Sequence, residues 1–126
     1  MLHLFYADDL MGPWHLHPES PIVDGNANKA RPSGRVLVFE DKIIRYSQDC
    51  YPEYGLEVNA FIITELTTSS YKEEAYPGNP IITGSGTGWN ADKMHHIDPH
   101  QIGENQWIAC VDGFDKDYYL TFWKDK

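Results

Sequence analysis

The chain has 126 residues, which suits one domain of ordinary size and leaves no room for two. Hydrophobic residues make up 41% and charged residues 23%, a balance that is typical of folded globular proteins and excludes an intrinsically disordered chain. The net charge of −9 argues against nucleic acid and against membranes as partners, because nucleic acids and anionic membrane surfaces attract clustered Lys and Arg.

Four apolar segments, each bounded by turn-forming residues, predict short antiparallel strands. They cover residues 2–8 with 14–17, residues 36–39 with 43–46, residues 56–66 with a partner near Tyr71, and residues 94–97, 107–111 and 118–123. Aromatic residues at 13%, with 10 Gly and 8 Pro, favour strands and turns, and no stretch shows an apolar stripe at helical spacing. The sequence therefore predicts an all-β fold, in which the glycine-rich residues 78–91 form a long loop suited to binding.

The two cysteines, Cys50 and Cys110, lie far apart and match no zinc or redox spacing. They are interpreted as free thiols, with a single disulfide as the alternative. The first residues lack the basic start and the long apolar run of a secretory signal. Both observations favour a cytoplasmic location.

The three arginines, Arg31, Arg35 and Arg45, lie close together, whereas the seven lysines are scattered. Arginine forms planar, bidentate contacts with carboxylates and phosphates. In an acidic protein such a group predicts either a local pocket for an anionic or hydroxyl-rich ligand, or pairing with carboxylates across strands. Both interpretations stay open at the level of sequence.

Asp49 and Glu57 are candidates for a catalytic pair of carboxylates. They flank a turn at Pro52, and a strand over residues 43–47 would place Gln48 and Asp49 at its end. Glycoside hydrolysis uses two carboxyl groups, one as the acid and the other as base or nucleophile. The alternative is chance, because 19 acidic residues in a chain of 126 bring two carboxylates this close without any function.

The six histidines raise the question of a metal site. His95, His96, Asp98 and His100 are potential ligands, since imidazole and carboxylate groups bind zinc and other divalent ions. A strand, however, would send His95 and His96 to opposite faces. Hydrogen-bonded or exposed histidines are therefore expected, with His95, His96 and Asp98 as weak metal candidates, and no cofactor is predicted.

Several aromatic residues near turns are suited either to stacking on sugar rings or to filling the core. They are Trp14, Tyr46, Tyr54, Trp89 and Trp107. The glycine-rich residues 84–88 lack the Lys and the helix signal of a phosphate-binding loop, and no Gly-x-Ser-x-Gly nucleophile elbow occurs. The sequence therefore offers no sign of nucleotide chemistry or of a serine hydrolase.

The order of the motifs resembles that of a known family. Gly12-Pro13-Trp14 and residues 17–22 and 30–34 are similar to the blade connections of five-bladed sugar-processing propellers of the furanosidase-like superfamily. Residues 44–50, Tyr54-Gly55, residues 63–66, Tyr71, Glu73, His95, Asp98 and residues 111–113 complete the pattern. Together they resemble the N-terminal domain of the glucosamine inositolphosphorylceramide transferase family, over about residues 4–113.

The resemblance implies a β-propeller with a ligand-binding funnel on its central axis. Carried over residue by residue, the resemblance places five polar groups near the funnel: Arg31, Arg45, Gln48, Asp49 and His95. Tyr54 and Asp98 are further candidates for ligand binding. This chain departs from the family at His96, where a threonine is usual, and at Asp98, where an asparagine is usual. Glu57 matches no acid of the family, so the resemblance does not strengthen the catalytic pair.

The chain is short for a closed propeller, because a blade of four strands takes roughly 40 to 50 residues. The expectation is one domain over residues 1–126, an incomplete propeller of two to three C-terminal blades built from antiparallel four-stranded sheets. Open blades expose sheet edges and hydrophobic interfaces. A homo-oligomer formed through these edges is therefore expected.

The leading functional hypothesis is a carbohydrate-recognition module that is non-catalytic as it stands, with a sugar or glycan as ligand. One alternative is a glycosidase or glycosyl-transfer component that becomes active on assembly, with Asp49 and either Glu57 or Asp98 as the acid and base and with His95 as a supporting donor. Another is a scaffold that completes a propeller with a separate chain. Two carboxylates facing one pocket would favour the enzyme, and a co-purifying partner would favour the scaffold.

Overall fold

A computed structural model describes residues 1–117 and shows an all-β fold of nine strands within that range. The strands are β1 (Phe5–Tyr6), β2 (His15–Leu16), β3 (Arg31–Pro32), β4 (Leu37–Phe39), β5 (Lys42–Gln48), β6 (Val58–Leu66), β7 (Tyr71–Ala75), β8 (Lys93–Gly103) and β9 (Gln106–Phe114). The only helical element in this range is a 3-10 turn over Gly88–Asn90. The prediction of an all-β fold is confirmed.

The largest sheet contains β3 to β7, and all of its strand pairs are antiparallel. β5 and β6 form its centre, because their β-branched and aromatic residues suit a buried pleated surface. β3 and β4 both pair with β5 along the edge opposite β6, one at each end of β5. The sheet is therefore four strands wide, as expected for one blade.

Two hairpins flank this sheet, β1 with β2 and β8 with β9. The second hairpin is longer than the segments 94–97 and 107–111 predicted from the sequence, since β8 continues through Pro99, which lies opposite Ala109. The predicted strand over residues 118–123 lies outside the described residues. One wide sheet between two narrower ones is consistent with a partial propeller-like arrangement.

The core lies on one face of the central sheet. Its buried members are Tyr46, Val58 and Ala60, and Leu37, Ile44, Ile81, Ile82 and Ile97 pack against them. Both cysteines are free thiols, as predicted. Within residues 1–117, no helix has the length and apolar character needed to cross a membrane.

The turn after β3 lies directly against β8. Gly34 has a φ of +97°, and a Cβ built there would lie 1.9 Å from the carbonyl oxygen of Ile97. The neighbouring Ser33 is fully buried, and its hydroxyl donates a hydrogen bond of 2.6 Å to the carbonyl oxygen of His95. A glycine is needed here because both the backbone conformation and the close approach exclude a side chain. These contacts fix the second hairpin on the central sheet.

Candidate functional site

The loop between β5 and β6, residues 49–57, brings two acidic residues together at its base. The backbone N–H of Asp49 donates to the carbonyl oxygen of Glu57 at 2.9 Å, and the N–H of Leu56 donates back to the carbonyl of Asp49 at 2.9 Å. These bonds continue the β5–β6 ladder beyond the strands. Asp49 and Glu57 therefore stand side by side at the rigid end of the sheet.

Both acidic residues line an open pocket of ≈390 Å³. Four asparagines share it with them, and the complete lining is Asn26, Asn28, Lys29, Asp49, Glu57, Asn59, Phe61, Ala75, Asn79 and Pro80. We call this the carboxylate pocket. Its residues come from the segment before β3, from the loop 49–57, from β6 and from the end of β7, so the sheet brings together parts of the chain that are distant in sequence.

Asp49 is held in one orientation. Its side chain accepts hydrogen bonds of 2.9 Å at both carboxylate oxygens from Nδ2 of Asn28, and a third of 2.9 Å from the backbone N–H of Tyr51. Only 8% of the residue is exposed. The amide of Asn28 and the N–H of Tyr51 therefore hold this buried carboxylate in a fixed geometry.

Glu57 is in a different environment although it lies beside Asp49. Among residues 1–117, no hydrogen bond or ion pair engages its carboxylate. Desolvation raises the pKa of Glu57 above its ordinary value, and the charge of Asp49 raises it further. The carboxylate pocket thus combines one carboxylate that is fixed by hydrogen bonds with one unengaged carboxyl group whose pKa is raised.

Arg45 is committed to a buried ion pair. Its Nε and Nη2 donate to the two carboxylate oxygens of Glu73, each at 2.7 Å, and the two side chains are 7% and 10% exposed. Tyr71 donates a hydrogen bond of 2.6 Å to the same carboxylate. Burial alone would raise the pKa of Glu73, but the hydrogen bonds from Arg45 and Tyr71 hold it below the ordinary value.

The same arginine supports one wall of the pocket. Its Nη1 donates to the carbonyl oxygen of Lys29 at 3.0 Å, and its guanidinium lies 4.6 Å from the ring centre of Phe61. Lys29 and Phe61 both line the carboxylate pocket. Arg45 therefore positions pocket residues and is not itself available to an anionic ligand.

Arg31, Tyr54 and His95 form a separate stack at the tip of loop 49–57. The guanidinium of Arg31 lies 4.9 Å from the centre of the Tyr54 ring, and the Tyr54 ring meets the imidazole of His95 edge-on at 5.3 Å. Nε2 of His95 lies 3.2 Å from a carboxylate oxygen of Asp112.

Gln48 is buried at the end of β5, where its Oε1 accepts a weak hydrogen bond of 3.6 Å from the Cys50 thiol.

Asp98 lies in a third group. It accepts a bidentate pair from Arg35 at 2.7 and 3.0 Å and a contact of 3.2 Å from His100. The hydrogen bond from Arg35 holds the pKa of Asp98 below its ordinary value, although desolvation opposes this. His96 lies on β8 opposite Asp112. In the described part of the chain, no three His, Cys, Asp or Glu side chains converge as a metal site would require.

The expected funnel residues are thus distributed over separate places. Of the five groups placed around a common hollow, only Asp49 lines the carboxylate pocket. The alternative interpretation of the arginines applies to two of the three, since Arg35 and Arg45 pair with carboxylates across strands. The asparagines of the pocket were missed, because no local pattern marks polar residues from a strand and from separate loops that meet only after folding.

Residues 1–114 match the family model described as glucosamine inositolphosphorylceramide transferase 1, N-terminal. A protein named glucosamine inositolphosphorylceramide transferase 1 from Oryza sativa subsp. japonica is 36% identical over 116 residues, and one of the same name from Arabidopsis thaliana is 30% identical over 114 residues. Each alignment covers 89% of this chain but only 15% of the relative. No solved structure matches the chain significantly.

Proposed function

This chain belongs to the family of the N-terminal region of glucosamine inositolphosphorylceramide transferase 1, and on that premise we propose that it is a carbohydrate-binding module. The relatives are named as transferases of a sugar, and the chain spans 15% of their length. The proposal therefore concerns recognition of a sugar and not the activity of the whole relative. The observation that carries it is the carboxylate pocket, with its two acidic and four asparagine side chains.

The chemistry of the pocket suits hydroxyl groups. A sugar hydroxyl both donates and accepts a hydrogen bond, a carboxylate only accepts, and a side-chain amide does both. Asn28 and Asn79 are fixed: Asn28 holds Asp49, and Asn79 accepts from the N–H of Ala60 at 2.7 Å and donates to its carbonyl at 2.8 Å. Among the described residues, the side chains of Glu57 and Asn59 make no hydrogen bond and so stay available to a ligand.

The apolar part of the pocket suits the rest of a sugar ring. Phe61 and Pro80 give an apolar surface beside the polar groups. Pockets that bind small ligands commonly combine such surfaces with a few well-placed polar groups. Since Asp49 and the fixed asparagines are held by hydrogen bonds before any ligand arrives, little conformational entropy is lost on binding.

The test is a titration of the full chain with simple methyl glycosides. Binding is measured by isothermal calorimetry and by amide NMR shifts at Asn59 and Glu57. Asn59→Ala is expected to weaken binding by about tenfold, equivalent to the loss of one or two hydrogen bonds. The control is Asn105→Ala, the same change in the exposed turn between β8 and β9. Saturable binding that both variants retain equally would contradict the assignment of the pocket.

One observation favours a second candidate function, acid–base cleavage of a glycosidic bond. Glu57, whose pKa is raised, lies beside the fixed carboxylate of Asp49, and such a reaction uses one carboxyl group as the acid and a second as the base or nucleophile. The measurement is release of nitrophenol from aryl glycosides. Activity that Glu57→Gln removes while sugar binding persists would make the module an enzyme, and absence of turnover with intact binding would leave it a recognition module.

A further inference from the structure

A second pocket lies at the tip of loop 49–57, where the loop meets the ends of β8 and β9. It has a volume of ≈280 Å³ and is lined by Tyr54, Gly55, Lys93, His95 and Phe114. We call it the aromatic pocket. The rings of Tyr54 and Phe114 are 52% and 50% exposed, and none of the five residues lines the carboxylate pocket. Exposed aromatic rings beside a cavity are suited to stacking against a ligand ring.

The charges around the aromatic pocket are already compensated. Nζ of Lys93 pairs with a carboxylate oxygen of Glu53 at 2.6 Å, and Nε2 of His95 lies 3.2 Å from Asp112. Lys93 and His95, the lining residues that carry or can acquire positive charge, therefore each have a carboxylate partner, and the guanidinium of Arg31, which does not line the pocket, lies against the Tyr54 ring. An ionic ligand would gain little here, since it would have to displace these partners, so the geometry favours an uncharged ligand.

One polar atom of the pocket lacks a partner. Among residues 1–117, Nδ1 of His95 is buried and makes no hydrogen bond. Buried polar atoms are nearly always paired, so an orphan atom calls for an explanation such as a missing ligand. The backbone of Gly55 packs so closely that a Cβ there would lie 2.9 Å from Cγ of His95, and the half-exposed Tyr54 ring meets the same imidazole edge-on at 5.3 Å.

We propose that the aromatic pocket is a second subsite that binds the ring of an uncharged pyranose. On binding, the Tyr54 ring turns away from the imidazole and stacks on the apolar face of the sugar, which takes the place beside His95 so that a sugar hydroxyl donates a hydrogen bond to Nδ1. The class of ligand rests on the proposed function, but the site and its residues are independent of the carboxylate pocket. Loop 49–57 links the two, with Asp49 and Glu57 at its base and Tyr54 at its tip.

The experiment titrates the full chain with three glycosides and monitors binding by amide NMR. The glycosides are methyl β-D-glucopyranoside, methyl β-D-galactopyranoside and methyl α-D-mannopyranoside. The amides of Gly55 and His95 are expected to shift with at least one glycoside, with a Kd of about 1–10 mM. Tyr54→Ala should weaken this binding at least about tenfold. The matched control is Tyr51→Ala, which removes a more exposed tyrosine from the same loop and should leave the affinity unchanged.

The outcomes separate this subsite from the carboxylate pocket. Shifts at Gly55 and His95 without any at Asn59 support the subsite and count against the carboxylate pocket, whereas shifts at Asn59 alone overturn the subsite and leave the proposed function intact. Absence of shifts at Gly55 and His95 with all three glycosides also overturns the subsite. An equal loss of affinity in Tyr54→Ala and Tyr51→Ala overturns it as well. If glucose 6-phosphate binds more than about tenfold more tightly than the methyl glycosides, the assignment of an uncharged ligand is overturned.

Discussion

Arg45 and Glu73 form a buried ion pair, and among the contacts described above it is the one whose loss we expect to lower the free energy of unfolding most. Arg45→Met leaves the Glu73 carboxylate buried without its partner, which is expected to lower the free energy of unfolding by about 3–5 kcal/mol. The double variant Arg45→Met with Glu73→Met should lose much less, because both charges are gone. Urea unfolding of the three chains measures the difference.

The control for this prediction is the neighbouring exposed pair. Lys72 contacts Glu65 at the surface, next to Glu73 in sequence. Lys72→Met should unfold at the same urea concentration as the parent, since exposed pairs contribute little. If the two single variants lost the same stability, or if the double variant were as unstable as Arg45→Met, the ion pair would not have the structural role assigned to it.

Glu57 gives a prediction about pH. Its pKa in the folded protein is raised above the ordinary value of 4.5, by desolvation first and by Asp49 second, so the folded state binds its proton more tightly than the unfolded state does. Ionised Glu57 therefore destabilises the fold once the pH rises above that ordinary value. Glu57→Gln should stabilise the chain at pH 7 by less than about 1 kcal/mol, because solvent screens a partly exposed group, and should have no effect near pH 3.

The control for Glu57→Gln removes a charge elsewhere. Glu104→Gln lies in the exposed turn between β8 and β9 and reports the effect of reducing the net charge of −9 by one. Thermal unfolding at both pH values compares the variants. A stabilisation by Glu57→Gln that persists at the lower pH, or that Glu104→Gln reproduces, would show that desolvation and the charge of Asp49 are not its cause.

At this scale the sequence predicts the acidic residues better than their surroundings. Asp49 and Glu57 could be singled out because they flank one turn, and the ladder beyond β5 and β6 does place both in one pocket. Asn59 and Asn79 carried no signal, since one lies within a strand and the other in a distant loop. Arg45 was a candidate for binding a ligand because the sequence does not show that Glu73 faces it. The two residues lie two strands apart and meet only in the folded sheet.

Among the elements, the hairpins with alternating β-branched residues were predicted well. The segments 36–39 and 43–46 correspond to β4 and β5, and 56–66 with its partner near Tyr71 corresponds to β6 and β7. β3 was missed because it has two residues, one of them a proline. β8 was predicted too short, since its polar histidines and Pro99 obscure the pattern of a strand that is only partly buried.

A further prediction about the elements concerns the contact between the β3–β4 turn and β8, which can be tested with two glycine substitutions. Gly25→Ala should cost about 1–2 kcal/mol for its left-handed backbone alone, because nothing lies within 4 Å of the new Cβ. Gly34→Ala adds a collision with Ile97 and should cost at least about 2 kcal/mol more. Hydrogen exchange should show faster exchange in β8 for Gly34→Ala only. Equal effects of the two changes would show that the turn does not hold the hairpin.

For the whole molecule, the distribution of charge over the strands bears on association. β7 pairs with β6 alone in the described part of the chain, but it carries the exposed Lys72 and Glu74, and charged residues oppose edge-to-edge pairing. β9 carries one charged residue, Asp112, and exposes Ile108 by 59%. Association of copies is therefore expected through the face of β9 and not through the edge of β7.

We expect sedimentation equilibrium to show a dimer or a larger species. Because each copy carries a charge of −9, raising the salt from about 0.05 M to about 0.5 M should strengthen association by screening the repulsion. Ile108→Lys should weaken it strongly, whereas Leu10→Lys, at an exposed turn of the first hairpin, should not. A monomer at every concentration and salt would refute self-association and would favour the alternative hypothesis, in which the chain pairs with a separate protein.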